Sequence, residues 1–403
     1  MAKQTVLIVG GGAAGFFTAA NLDASKFHTI LLEQSSDVLQ KVRISGGGRC
    51  NVTHSCFDPS ALVQFYPRGN RELRSVFSRF QPQDTIQWFS QRGVVLKTEK
   101  DGRIFPQTNS SETIIDVLKK QAALNGTEIK LQHRVLSITP EEGRYTVQTS
   151  QGNFWADCIV YTPGSIPKSL KILQDLSFST VAPVPSLFTF NISHPLLEQL
   201  PGTSFPNAQL SIPEFKSKEQ GPLLITHWGL SGPAILKISA WKARELFAAD
   251  YRFTLHVNFL AEPFAQVQQH FVLQKQSSPK KLMGATKPAA LTQRFWSRVL
   301  DLCGIDPTQQ IGTVKTPALE KLTALLTQCK LEVVGKSTNK DEFVTAGGVD
   351  LKEIDFRTME SKRYPNFFLA GEILNIDGIT GGFNFQACWS EAFVIAMELN
   401  ARF

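Results

Sequence analysis

At 403 residues the chain exceeds one compact core, so two or three domains with room for a large buried cofactor are expected. Hydrophobic residues make up 42% and charged residues 19%, with no low-complexity tract or heptad run, which excludes a disordered or fibrous protein. No stretch approaches the ~18 apolar residues of a membrane span and no signal-peptide pattern opens the chain, so a soluble, cytoplasmic protein is expected. Lys and Arg outnumber Asp and Glu by 42 to 35, for a net charge of +7.

The first element is QTVLIV (residues 4–9), a β-branched apolar run typical of a strand buried on both faces of a parallel sheet. Gly10-x-Gly12-x-x-Gly15 follows directly, with Ala13 and Ala14 inside it, and AGFFTAANL then reads as a helix. Gly10 permits the tight turn, Gly12 lets backbone approach a pyrophosphate and Gly15 lets helix and strand pack closely. The helix N-terminus would face the phosphates with free N–H groups. A second strand, His28 to Leu32, ends at Glu33 and Gln34, and Glu33 lies 18 residues past Gly15, placed to accept hydrogen bonds from an adenosine ribose. The complete strand, loop, helix, strand, acid pattern implies an ADP-containing cofactor, NAD or FAD.

Next comes KVRISGGGRCNVTH, a second glycine cluster. Gly46, Gly47 and Gly48 would let the backbone pass close to the same dinucleotide further along its length, with Arg49 and Asn51 supplying polar contacts and Cys50 as a neighbour. Lys41 and Arg49 could counter pyrophosphate or flavin charge. Cys50 and Cys56 have five residues between them, which does not fit the spacing of a flavin-linked dithiol. The six cysteines form no Cys-x-x-Cys pair, so no zinc site or other metal is expected, and most read as buried thiols. His54 is a weak acid–base candidate. Two segments are basic: 41–79, with Lys41, Arg43, Arg49, Arg68, Arg71, Arg74 and Arg79 against two acids, and 262–330 with nine basic residues against four. Either an anionic partner or a mildly basic solvated surface accounts for this.

Residues 128–160 alternate as short strands, IKLQ, RVLSIT, RYTVQTS and FWADCIVYT, a meander with Val135 near the expected adenine. Thr162 and Gly164 follow the strand IVYT. Further strands are read at SLFTFNI, NAQLSI, GPLLITHWG and YRFTLHVNFL, and helices at FAQVQQHFVLQKQ, LTQRFWSRVLDLCG and TPALEKLTALLTQCK. In ITHWGLSGP, His227 and Trp228 sit at a strand-to-turn step; His227 could act as acid or base near neutrality, and a packed barrel turn is the alternative. Near the end, Phe367 to Ala370 read as a strand running into Gly371 and Glu372, and ITGGFNFQ leads into a final helix. Flavoproteins use such a Gly-acid step to hold the ribityl chain and such a helix N-terminus, here Gly381, Gly382, Phe383 and Asn384, against the flavin pyrimidine edge. This favours FAD over NAD. No second GxGxxG follows, so no separate nicotinamide domain is expected.

The segments VLIVGGGAAG, KVRISGGGRCNVT, RIFPQT, LLITHWGLSGPAILKIS, VTAGGVDLKEIDFRTMESK and FLAGEILNIDGITGGFNFQACW, in this order and across nearly the whole chain, resemble the bacterial BaiN-like, aminoacetone-oxidase-like FAD-binding flavoproteins. The resemblance implies an α/β fold: a Rossmann-like FAD-binding domain of the glutathione-reductase type (1–185 and 346–403), interrupted by a β-barrel insert (186–261 and 330–345) that carries a small helical subdomain (262–329). Three features depart from the family pattern: a short, glycine-poor stretch after Tyr161, Asn375 in place of Asp, and Glu391 in place of a small residue.

The function expected is FAD-dependent hydride transfer between a small amine or carbonyl-conjugated compound and flavin N5, with oxygen or NAD(P)H as the other redox partner. A membrane partner is not expected for want of an apolar span, and a nucleic-acid partner is not expected because the chain lacks a dense basic stripe interleaved with aromatic residues. An RNA-modifying flavoprotein, a disulfide reductase working through Cys50 and a redox-inactive FAD protein are the rival readings.

Overall fold

The computed structural model describes residues 3–337 and 344–403. The chain divides into two compact units, Met1–Pro185 with Lys340–Phe403, and Ser186–Asn339.

The first unit is built on a seven-stranded sheet. Gln4–Val9 lies near its middle, paired in parallel with Cys158–Tyr161 on one side and Phe27–Leu32 on the other. Glu128–Lys130 extends one flank in parallel and Phe367–Leu369 the other. Two short antiparallel strands, Glu360–Ser361 and Ile354–Asp355, finish that edge. The central strands carry Val6, Leu7 and Ile8, and all three are fully buried. That is why the sequence shows continuous β-branched runs here in place of alternation.

Register brings the carboxyl ends of the strands level. Val9 stands opposite both Leu32 and Tyr161, so Gly10, Glu33 and Thr162 leave the sheet side by side. Tyr161 stands opposite Leu369, and Ala370 and Gly371 follow. In open parallel sheets this edge is where ligands bind.

Two helices cover one another on this sheet. Ala13–Ala19 buries Phe16 and Phe17, and the Phe17 ring lies 4.6 Å from Trp88 and 5.2 Å from Trp389 of the last helix, Phe383–Arg402. Asn400 ties that helix back to the first strand-helix unit, accepting from the Asp23 N–H at 2.9 Å and donating to the Asn21 carbonyl at 2.9 Å. A separate three-stranded meander, Val135–Glu141, Arg144–Thr149 and Gly152–Ala156, packs by hairpin pairing.

The second unit holds a closed six-stranded barrel made from Thr189–Ile192, Ser204–Ile212, Ser217–Ile225, Gly229–Ser231, Phe253–Asn258 and Cys329–Ser337. Phe190, Leu210, Ile225, Leu255 and Leu331 fill its interior at zero exposure. Helices Phe264–Ser277, Gln293–Cys303 and Thr316–Thr327 join the same core, where Trp296 is fully buried and donates to the Met283 carbonyl at 2.9 Å.

The basic stretch 262–330 is largely spent inside this unit. Lys275 donates to the Val314 carbonyl, Lys287 and Arg294 to those of Leu291 and Gln199, Arg298 to that of Glu198 and Lys321 to that of Leu302. These side chains close helix ends and loop carbonyls. In the first unit, Arg43 is likewise shared between Asp37 and Glu112, and Arg68 grips the buried carboxylate of Asp377. Among the described residues no helix is long and apolar enough to cross a membrane.

Candidate functional site

A cleft of about 440 Å³ opens at the strand ends of the first unit. Gly10, Gly12, Ala13, Ala14, Glu33, Gln34, Lys41, Thr162, Gly164, Gly371 and Glu372 line it. They come from four strand ends and the loops after them. The glycine turn is as tight as its sequence implies. A Cβ at Gly15 would sit 2.1 Å from the Gly10 carbonyl oxygen, and one at Gly10, where φ is +106°, would sit 2.3 Å from the Thr162 carbonyl oxygen. Above Gly12 there is open space, and the helix that starts there has no side-chain cap.

Glu33 is more constrained than a simple ribose acceptor. One carboxylate oxygen accepts the Gly11 N–H at 2.8 Å and the other the Ser35 N–H at 2.8 Å. The acid thereby holds the glycine loop, and about half of its acceptor capacity remains. Lys41 pairs with Glu372, so two residues 331 positions apart meet at the cleft. Sequence reading missed Gly11, Ser35, Asp37, Ser165 and Cys388, which also line it. The glycine-poor stretch after Tyr161 contributes every residue from Thr162 to Pro167.

The second glycine cluster is placed differently from the first. Gly46, Gly47 and Gly48 take φ of +58°, +69° and +82° at the end of Gln40–Gly48, and the space above Gly47 and Gly48 is open. The cluster does not line the cleft just described. Its neighbours are stitched to the last helix. With its amide oriented to satisfy both ends, Asn51 accepts from the Gly382 N–H at 2.9 Å and donates to the Thr53 carbonyl at 3.1 Å. Trp389 donates to the Val52 carbonyl at 2.9 Å, and the Thr53 hydroxyl to Gln386 at 2.5 Å. Arg49 turns to Glu99 at 2.7 Å and lies 4.0 Å over the Phe105 ring. Its charge is therefore engaged by protein groups.

Cys50 is fully buried in a left-handed backbone conformation, and burial pushes its thiol up to about 12. Cys50 and Cys56 are both free thiols. A thiol so far from ionisation is a poor nucleophile, which weighs against the disulfide-reductase reading.

At the start of the last helix, Gly381 and Gly382 have φ of +140° and +90°. Asn384 clamps the loop ahead of it, accepting from the Gly378 N–H at 2.8 Å and donating to its carbonyl at 2.9 Å. The Phe383 ring stacks on Phe65 at 4.4 Å and on His54 at 4.7 Å. His54 thus sits in an aromatic stack, with Nε2 3.2 Å from the Asp101 carbonyl. Val135 begins the meander, next to the segment whose His133 N–H donates to the Glu33 carbonyl at 2.8 Å.

His227 and Trp228 belong to the second unit, on the turn between Ser217–Ile225 and Gly229–Ser231. Trp228 is 67% exposed. The two side chains line a cavity of about 620 Å³ with Asn191, Ser193 and His194.

The residues at the first cleft fit an ADP-containing dinucleotide. There is open backbone over Gly12, a carboxylate with spare acceptor capacity and one lysine at the rim. Together with the parallel sheet and the interrupting barrel, they define a Rossmann-type FAD-binding flavoprotein of the oxidoreductase class. Residues 4–398 match the model of the HI0933-like protein Rossmann domain, and the chain belongs to that family.

Among curated proteins, the ribosomal RNA dihydrouridine synthase of Escherichia coli (strain K12) is 27% identical, covering 100% of this chain and 99% of its own. The 3-dehydro-bile acid delta(4,6)-reductase of Clostridium scindens is 24% identical, covering 96% and 97%. Among solved structures, 3-ketosteroid-delta4-(5alpha)-dehydrogenase from Rhodococcus jostii RHA1, in complex with 4-androstene-3,17-dione, is similar in fold. It has a TM-score of 0.50 and 12% identity over 100% of this chain and 97% of that one.

Proposed function

We propose that this chain is an FAD-dependent reductase that saturates a carbon–carbon double bond conjugated to a carbonyl, with reduced nicotinamide as the electron source. The observation that carries the reading is the full-length similarity to two relatives whose names share one chemistry. Dihydrouridine arises when the uracil double bond next to a ring carbonyl gains two hydrogens, and a Δ4,6 double-bond system beside a 3-oxo group is reduced in the same sense. Of the amine and carbonyl-conjugated substrate classes, this favours the second. A uridine in RNA is the first substrate to test, because the RNA-acting relative is the more similar.

FAD, when bound, would relay a hydride from NAD(P)H to the substrate double bond. The chain's own part is to bind and orient. Glu33 holds the glycine loop in place for a dinucleotide, and Lys41 and Glu372 close one side of the cleft. Gly10 and Gly15 lock the turn. No second glycine fingerprint occurs in the sequence, so the nicotinamide would dock transiently.

The test is anaerobic incubation of the yellow holoprotein with NADH or NADPH and one of three substrates: unmodified ribosomal RNA, free uridine or a 3-keto-4-ene steroid. The expected result is a substrate gain of two hydrogens by mass spectrometry, matched one-to-one by nicotinamide oxidation. Rapid flavin bleaching by amines, with none of these substrates reduced, would overturn the proposal.

A further inference from the structure

The last helix carries an acid in the middle of its buried face. Glu391 and its neighbours Ser390 and Ala392 are all at zero exposure. One carboxyl oxygen accepts the Gly371 N–H at 2.6 Å, and Oε1 has no hydrogen-bond partner among the described residues. The carboxyl thus bonds directly to a residue of the dinucleotide cleft. Gly371 lines that cleft, and a Cβ added to it would touch Ala14 at 3.5 Å and Cys388 at 3.6 Å, two further lining residues.

Among the described residues, the surroundings supply no counter-charge. Burial and the Gly371 hydrogen bond are the influences on the carboxyl, and burial dominates. Cys388, one turn back, and Tyr66, whose hydroxyl donates to the Phe383 carbonyl, are both held neutral by burial. Beyond Cys388 stand Glu372 and Lys41, already paired. The helix Ala13–Ala19 and the strand Phe367–Leu369 bring no titratable side chain, and Thr53–His54 brings only the stacked His54. Helices Asn70–Phe77 and Pro82–Ser90 also pack on the last helix. They bring Arg71, Glu72 and Arg74, which are not buried, and Asp84, which accepts the Gln81 N–H.

We propose that Glu391 is a positioning residue of the cofactor cleft: a neutral carboxylic acid at working pH whose ionisation, transmitted through Gly371 and Cys388, weakens the hold on the anionic dinucleotide. As a neutral acid it props the Gly371 amide without adding charge. Once ionised, it puts a full negative charge behind a cleft whose lining already has Glu33, Asp37 and Glu372, with Arg43 on Asp37 and Lys41 on Glu372. In so dry a site an unpaired carboxylate is costly, which pushes the carboxyl up to about 8. The cleft therefore changes character within a range that cells reach. This reading needs FAD in the cleft and is independent of the substrate.

Two measurements on the holoprotein test it at pH 6.5 and pH 9.5, with wild type and Glu391→Gln side by side. Infrared spectra of the wild type should show a neutral-acid carbonyl band at the lower pH that is lost at the higher. FAD affinity, from flavin release on dilution, should fall roughly tenfold or more in the wild type, the scale of unit charges acting across a few ångströms of protein. In the glutamine variant it should change by less than about a third of that. Equal loss of affinity in both proteins would overturn the proposal. If the variant does not fold, the wild-type band decides alone: its absence at pH 6.5, or its persistence at pH 9.5, overturns it.

Discussion

Glu391 also sets a pH dependence of stability whose sign and size follow from its burial. In the unfolded chain its carboxyl titrates near 4.5, and in the folded protein at about 8. Between these values the native state holds a proton that the unfolded state has lost, so stability falls as pH rises. The contribution is fully present below pH 4.5 and gone above about 8. Across that window it amounts to about 5 kcal/mol. Because the group is fully buried, solvent screening does not reduce the figure. Glutamine keeps an acceptor for the Gly371 N–H but cannot ionise, so Glu391→Gln should remove the slope. The assay is thermal unfolding with excess FAD from pH 5 to pH 9, read as the difference in Tm between wild type and variant. For a unit of this size the difference should change by roughly 10 °C or more in favour of the variant as pH rises. Parallel Tm curves for the two proteins would refute the reasoning, because the carboxyl would then be hydrated or paired.

Gly15→Ala should abolish FAD retention, because its methyl would meet the Gly10 carbonyl oxygen at 2.1 Å and backbone cannot give way there. The flavin-to-protein absorbance ratio checks this, and normal loading would contradict the packing. Native-state thiol labelling should modify Cys56 and spare Cys50 until the protein is denatured, and anaerobic dithionite titration should consume one two-electron equivalent per flavin. A second equivalent would restore the dithiol reading.

The strand ends of the dinucleotide unit could be read from sequence because their signals are local. QTVLIV names a buried strand by composition, the glycines name a turn by geometry, and Glu33 is one strand further on. The structure gathers Gly10, Glu33, Thr162 and Gly371 round one cleft because the strands are in register. Partnerships across hundreds of residues left no such trace. Arg49 meets Glu99 and Phe105, and Lys41 meets Glu372, only through the fold. For the basic run at 262–330 the count left an anionic partner and a solvated surface both open, and the structure ends Lys275, Arg298 and Lys321 on backbone carbonyls. Composition records charge and says nothing of which acceptor it meets. Glu391 stood out in sequence only as an acid where the family pattern has a small residue, and its link to Gly371 was visible only in three dimensions.

The tie between Asn400 and the Asn21–Asp23 turn has a consequence for biosynthesis. Ribosomes emit the chain from its N-terminus at roughly 5–20 residues per second. The strand Gln4–Val9 and the Gly10–Gly15 loop emerge long before their partners Phe367–Leu369 and Phe383–Arg402. Until then the nascent dinucleotide loop lacks its covering helix, while the six barrel strands, the last at Cys329–Ser337, have already been made. FAD loading therefore waits until Phe383–Arg402 has been made. Flavin scarcity would then act on a chain whose dinucleotide loop has already met its covering helix.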